Sequence, residues 1–427
     1  MTLIEFFEKD AIENICSTLI KPPDRVIFVG YDKKLMEKHA ERYQAILAAK
    51  KLKVEMRCVA INQNKIQSII DELSKIVEEN DDCVFDLTGG EDLYLVATGI
   101  IFERYKNRKN RHLQMHRFNI HNNSIADVDQ DGQIIECDSL PTLSVEENIR
   151  LYGGDIVYEE QRKNTTYRWD MTDDFKQDIN TMWAICKQDV RFWNTRIGLL
   201  KAAEEAADRP DELTVSVTSD QIGDAMPKGV KTTTICKFLG RLRGQGLLTE
   251  YQYDDQVFSV TYKNLQVKRC LTVEGQVLEM KVYLAALEAT EGDGVTKTYN
   301  DVMNGVTIDW DGNIHVDSEE CDTENEIDIM MMHGMVPVFV SCKNGVFDNE
   351  ELYKLNTVAT RFGGKYAKKV LVATALKDID IKNAEYLRRR AKDMGIRLVE
   401  GTPDNERHFT EMDDPALNRL IRNLCSG

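Results

Sequence analysis

No CxxC pair occurs among the 10 cysteines of this 427-residue chain. That removes the usual zinc-ribbon and redox spacings. With Cys58, Cys83 and Cys236 set in apolar runs, the cysteines read as reduced core residues and not as a disulfide framework. Long hydrophobic runs are missing too. The longest near-apolar stretch, residues 93–102, is too short to cross a bilayer, so no membrane association is expected. The opening Met1-Thr-Leu-Ile-Glu-Phe-Phe-Glu-Lys-Asp lacks a basic flank and is not a secretory leader, which leaves a cytoplasmic protein as the expectation. Basic residues are in deficit: Lys and Arg number 55 against 72 Asp and Glu, a formal charge of −17. Such a chain does not coat nucleic acid non-specifically. It can still engage a phosphate backbone through a local basic patch, and clustered acids can hold metal. Repeats and low-complexity segments are absent as well.

What is present is an ordinary globular composition, 42% hydrophobic and 30% charged. The length exceeds what one core serves, so about two or three domains are expected. Residues 1–144 alternate strands and helices. Strands are expected at Arg25-Val-Ile-Phe-Val-Gly30, over 53–61 and at Cys83-Val-Phe-Asp-Leu87, with helices over 35–50, 66–79 and onward to 105. His116 to Ile120 and Gln133 to Ile135 close the unit. Strands spaced by helices imply an α/β, Rossmann-like parallel sheet. Residues 145–268 change character: helices over 173–207, a strand at 213–217, helices at 219–226 and 232–245, then a hairpin over 247–261. That order is winged-helix-like. In residues 269–427 a helix is expected over 273–289, with strand-like Gly305-Val306 and 314–316. A strand pair follows at Glu326-Ile-Asp-Ile-Met-Met and Val336-Pro-Val-Phe-Val-Ser341, reversed at His333-Gly334. A helix at 349–361, a strand at 369–373, a basic helix at 383–394 and a strand at 396–399 complete it.

That strand pair carries the chemistry. Period-two alternation places Glu326 with Asp328 on one face and Ser341 with Lys343 on one face of the partner, at the same end of the hairpin. Phosphodiester hydrolysis needs carboxylates to hold Mg²⁺ or Mn²⁺ and a cation to position the attacking water or steady charge on phosphate. Glu279, on the preceding amphipathic helix, can reach the same centre as a further metal ligand. His333, in the turn, reads as structural, and Cys342 as a packing residue. Basic residues follow at Arg361, Lys365, Lys368, Lys369, Arg388, Arg389, Arg390 and Lys392; solvated helix faces account for most of them.

The order of a helical glutamate, an aspartate and then x-x-Lys on the next strand resembles the PD-(D/E)xK, restriction-endonuclease-like superfamily. More narrowly, Asn325-Glu-Ile-Asp-Ile, Val340-Ser-Cys-Lys-Asn-Gly345, Leu352-Tyr-Lys-Leu and Arg361-Phe-Gly-Gly364 resemble the nuclease domain of CRISPR-associated CARF nucleases, ancillary effectors of type III CRISPR systems. Ser341 stands where the general superfamily has an acid. The resemblance then implies metal held by Asp328, Glu326 or Glu279, and the Cys342 backbone carbonyl.

At the other end, Asp86-Leu-Thr-Gly-Gly90 follows a buried strand and opens a helix, and Gly30-Tyr-Asp-Lys33 ends a strand at the same carboxyl edge. Glycines and free amides at such junctions admit phosphate. The Asp-Leu-Thr-Gly-Gly run resembles the signature of CARF domains, which sense cyclic oligoadenylates across a two-fold axis. That resemblance implies a homodimer and an allosteric activator, with cyclic tetra-adenylate the expected ring. Contacts would come from Gly30, Tyr31, Asp32, Lys33, Thr88, Gly89, Gly90 and Glu91, with Asn62, Gln63 and Asn64 touching base or ribose. Glu91-Asp92 depart from the Thr-Lys of many relatives. The two resemblances cover residues 1–144 and 269–427 and imply an activated endonuclease acting on RNA and/or DNA. A rival reading is a transcriptional regulator with an inactive nuclease remnant, whose Lys228, Lys231, Lys237, Arg241 and Arg243 face DNA.

Overall fold

The computed structural model describes residues 1–425 apart from 63, 109–111, 122–123, 130–131, 136–140, 208–211, 226–230, 255, 316–322, 377–379 and 402–407. Three sheets with flanking helices among the described residues make it a mixed α/β protein, as the alternation of elements predicts. The first sheet contains β1 (Thr2–Phe6), β2 (Arg25–Gly30), β3 (Glu55–Ala60), β4 (Asp82–Asp86), β5 (His112–Asn119), β6 (Ser124–Asp127) and β7 (Gln133–Ile135). Its order is β3-β2-β1-β4-β5-β6-β7, with the first five parallel and β6 and β7 antiparallel at one edge. The helix Lys33–Ala49 covers one face, and Ile66–Glu79 with Asp92–Tyr105 cover the other.

The central strand β1 is not announced by hydropathy, because Glu5 interrupts its short apolar run. The fold buries that carboxyl opposite Asp86 of β4. Burial and the Asp86 charge together push Glu5 well above its ordinary pKa. His116 lies 3.6 Å from Asp86 and helps keep Asp86 ionised against the cost of burial.

β8 (Asp155–Ile156) lies within the expected 145–268 unit, yet pairs antiparallel with a strand of the C-terminal sheet. β9 (Thr214–Thr218), β10 (Leu248–Tyr253) and β11 (Val257–Tyr262) form a separate antiparallel sheet ordered β10-β11-β9, against which the helix Thr232–Gly244 packs. The last sheet adds β12 (Asp301–Asp309), β13 (Glu324–His333), β14 (Val336–Lys343), β15 (Lys368–Ala373) and β16 (Ile396–Val399), in the order β16-β15-β14-β13-β12-β8.

This six-stranded sheet is the hub. Ile329, Met331, Val338, Val340, Val370 and Val372 share one core with the helices Asp173–Cys186, Val190–Ala206 and Gln276–Glu288. Met330, Met332, Phe339 and Leu371 face a second core, shared with the Lys33–Ala49 and Asn349–Gly363 helices. Burial on both faces explains why β14 reads as a near-continuous apolar run. Three expectations are corrected. The helix expected over 273–289 begins later, as Gln276–Glu288 behind Gly275 at φ 84°, and a separate helix, Leu265–Thr272, precedes it. Residues 219–225 make a 3-10 turn, Ser219–Ala225, instead of an α-helix, and 226 lies outside the described residues. Residues 314 and 315 are not strand, and 316 lies outside the described residues. Among the described residues no helix is long and apolar enough to cross a membrane, and Cys16, Cys58, Cys83, Cys186, Cys236, Cys270, Cys342 and Cys425 are free thiols.

Candidate active site

The β13–β14 hairpin turns at Gly334, where φ is 62°, and its ladder runs from His333↔Val336 to Ile329↔Val340. There the pairing stops and the Asp328 carboxylate enters the gap. Its Oδ2 accepts the Cys342 backbone N–H at 2.5 Å and the Ser341 hydroxyl at 3.2 Å. A side chain so takes a strand amide that a backbone carbonyl takes further along. Asp328 is thereby fixed against Ser341. Strict alternation does not survive this: Ile327 joins one core and Ile329 the other, so the strand's facing slips at Asp328. Gly305 and Asp328 are also skipped in the β12–β13 register, and Gly305 there adopts φ 59°.

Glu279 arrives from the Gln276–Glu288 helix. Its carboxylate accepts the Gln276 amide at 3.1 Å, and the same amide reaches Asn304 of β12 at 3.3 Å, while Asn304 donates to the Asp328 carbonyl at 2.9 Å. Burial raises Glu279 well above the ordinary carboxylate range, and the charges of Asp328 and Glu326 add to it. Glu326, at the more open end, is raised by desolvation and by Asp328. Burial raises Asp328 as well, against the pull of Lys343, the Cys342 amide and the Ser341 hydroxyl. The three predicted carboxylates therefore sense one another, and all three strain toward a proton or a cation.

Lys343 ends β14. Burial works against its ammonium, but Asp328, Glu351 and Glu279 outweigh burial and hold its pKa above the ordinary value. Glu351, which sequence reasoning missed, pairs with Lys343 Nζ at 2.7 Å from the first turn of the Asn349–Gly363 helix. The only signal was an acidic first turn close behind the lysine. Asn304 and Gln276 were missed too.

A divalent cation fits the chemistry of this set, since hard oxygen donors whose charges repel one another in a half-buried cleft are what Mg²⁺ or Mn²⁺ relieves. Among the described residues no three histidine, cysteine or acidic side chains gather tightly enough to enclose an ion by themselves. Asp328 with one further carboxylate would therefore share it with backbone oxygen and water. The Cys342 thiol is buried in the core and raised, which makes it a packing group. His333 bonds the Thr298 carbonyl at 2.7 Å, a structural role. Of the basic residues, Arg361 donates to the carbonyls of Tyr152 and Trp310, Lys365 pairs with Glu13 and Arg388 with Glu400.

At the carboxyl edge of the first sheet, Gly30, Tyr31, Asp32, Lys33, Asn62, Asn64, Thr88, Gly89, Gly90 and Glu91 follow β2, β3 and β4; Gln63 lies outside the described residues. Asp32 caps the Lys33–Ala49 helix by accepting the Leu35 amide, so its carboxylate is committed locally. Lys33 lies 3.6 Å from Glu37, and Tyr31 is 54% exposed. Asn62 accepts the Asn64 amide. Thr88 donates its hydroxyl to Asp86 and accepts the Phe118 amide, which pins the loop. Gly90, at φ 112°, donates its amide to Glu8 at 2.8 Å. Glu91 begins the Asp92–Tyr105 helix without a side-chain cap.

No family model and no curated protein matches the chain. Solved structures do. Protein VC1899 from Vibrio cholerae superposes with a TM-score of 0.70 at 14% identity, over 99% of this chain and 97% of that one. Can2 from Sulfobacillus thermosulfidooxidans, solved in complex with cyclic tetra-adenylate, superposes with a TM-score of 0.61 at 15% identity, over 100% and 97%. At these identities the likeness is one of fold, and it extends end to end.

Proposed function

We propose that this chain is a cyclic-oligoadenylate-activated, metal-dependent endonuclease of type III CRISPR defence, cytoplasmic and homodimeric. Residues 1–144 would be its CARF sensor, 145–268 a winged-helix-like linker and 269–427 a PD-(D/E)xK domain. The observation that carries the reading is the seating of Asp328 on the Cys342 amide, with Lys343 charged beside it and Glu279 and Glu326 within electrostatic reach. Support for the activator comes from full-length fold likeness to Can2, whose structure holds cyclic tetra-adenylate.

Asp328, with Glu326 or Glu279 and the Cys342 carbonyl, would hold Mg²⁺ or Mn²⁺. Bound there, the ion would polarise the phosphodiester and lower the pKa of a coordinated water. Lys343 orients that water or the scissile phosphate and balances charge developing on the phosphoryl oxygens. Ser341 donates to Oδ2 of Asp328, the oxygen that also accepts the Cys342 amide, and so holds that carboxylate in place. Glu351 positions Lys343 from the far side.

The test is cleavage of labelled RNA and DNA with Mn²⁺, with and without cyclic tri-, tetra- and hexa-adenylate. Lys343→Ala and Asp328→Asn should each lower the activated rate by about 10²–10³-fold. Cleavage that persists in both variants removes the assignment. One observation favours the regulator reading: Lys237, Arg241 and Arg243 are exposed on the Thr232–Gly244 helix, and Lys231 precedes it, while Lys228 lies outside the described residues. Sequence-specific retention of duplex DNA with no metal-dependent cutting would select it.

A further inference from the structure

Between β1 and β2 runs a short segment, residues 8–14, that touches both candidate sites. Asn14 makes it a rigid unit: its side chain accepts the Glu8 amide and donates to the Glu8 carbonyl, both at 2.8 Å, and also donates to the buried Tyr43 hydroxyl at 3.0 Å. At one end the Glu8 carboxylate takes the Gly90 amide at 2.8 Å. That amide opens the Gly89–Gly90 turn, where the reading above places an anionic ligand. The fit is close, since a Cβ on Gly89 would fall 2.5 Å from Glu8 Cγ. A carboxylate of this chain therefore sits where a ligand phosphate would bond.

At the other end, Asp10 accepts the Lys365 amide at 2.8 Å and the Tyr152 hydroxyl. Glu13 takes the Lys365 ammonium at 2.8 Å and the Tyr366 hydroxyl at 2.5 Å. Here too a glycine makes room: Gly364 has φ 56°, and a Cβ on it would collide with the Asp10 carboxylate. Residues 364–366 directly continue the Asn349–Gly363 helix, whose first turn carries Glu351 against Lys343. Thr88, Glu13, Lys365 and Tyr366 line one open cleft of about 820 Å³, so the Glu13 end of the segment shares a space with the residue that precedes Gly89.

We propose that residues 8–14 form a strap that holds the ligand-free state and links the two sites. An anionic ligand arriving at Gly89–Gly90 displaces the Glu8 carboxylate, and the strap carries that displacement through Asp10 and Glu13 to Gly364–Tyr366. The Asn349–Gly363 helix then moves Glu351 relative to Lys343. The proposal rests on the activated-nuclease reading and adds the route within one chain. It needs no new bond, only exchange of one acceptor at the Gly90 amide for another.

Two variants of the full-length protein test it, with cyclic tetra-adenylate binding followed by calorimetry and cleavage followed with Mn²⁺. Glu8→Gln replaces a charged acceptor with a neutral one and removes a repelling charge. Its ligand affinity should rise about tenfold, and cleavage without ligand should rise with it. Asp10→Ala should bind the ligand as the wild type does but lose activation by about tenfold or more; Gly364→Ala, which evicts Asp10, should uncouple in the same way. If the wild type is activated and Glu8→Gln and Asp10→Ala match it in affinity and activation, the strap is overturned while the functional reading stands. A wild type that cuts equally with and without all three cyclic oligoadenylates overturns both.

Discussion

Asp328 is informative because its backbone belongs to one strand and its carboxylate to the next. By accepting the Cys342 amide it ends the β13–β14 ladder and places a raised, half-satisfied acid beside Lys343. Two consequences follow at this scale. Glu351 supports the charged form of Lys343, so Glu351→Gln lowers the lysine pKa. If the ammonium is the working form, the alkaline limb of the cleavage pH profile should move to lower pH, while a merely structural glutamate would leave it in place. Glu279 gives the second. Its folded pKa lies above the ordinary 4.5, so the folded chain holds the extra proton and the associated stability is complete below that value. That stability is lost as pH rises through the folded pKa. Melting temperature in chelator should therefore fall with rising pH over this window, Glu279→Gln should flatten the slope, and Mn²⁺ should recover most stability at the alkaline end. A melting curve in chelator indifferent to pH would sink the account of Glu279.

Among the elements, the β12–β13 pair and the Gln276–Glu288 helix shape the cleft through two glycines. Gly305 at φ 59° lets β12 pass Asp328 without a ladder pair, and Gly275 at φ 84° starts the helix that presents Glu279. A Cβ at either site meets left-handed backbone, so Gly305→Ala and Gly275→Ala should each cost about 1–2 kcal/mol in urea denaturation. Loss of cleavage beyond that expected from unfolding would show that the cleft geometry, and not only stability, depends on them. Strands with period two or continuous apolar runs, β2, β4, β14 and β15, were legible in the sequence, as was the Ile66–Glu79 helix with its apolar stripe. β1 was not, because its buried Glu5 mimics a surface residue until β4 supplies Asp86 as a neighbour. The helix expected over 273–289 starts at Gln276 instead, because Gly275 stands before it in the left-handed region. The C-terminal helix Asp414–Arg422, capped by Asp413 with proline at its start, was readable and went unread.

In the whole molecule, one sheet is shared between two cores, which ties the candidate sensor to the candidate nuclease. Phe362 packs edge-on to Trp310 in the core that also holds Tyr43 of the first unit, and its carbonyl accepts the buried Asn148 amide at 2.7 Å. Phe362→Ala should cost about 3–5 kcal/mol and lower the melting of both α/β sheets together. Separate transitions, with only the C-terminal one displaced, would contradict a common core. The α/β class and the strand pair bearing Asp328 and Lys343 are readable before folding, because alternation and a short turn are local and act within one hairpin. It took the packed fold to bring Glu351 to Lys343, to set a half-buried Glu279 beside Asp328, and to let Glu8, Asp10 and Glu13 bridge residues 90 and 365. Those meetings depend on which strand lies next to which, and that adjacency follows from packing two cores at once, which no local pattern encodes.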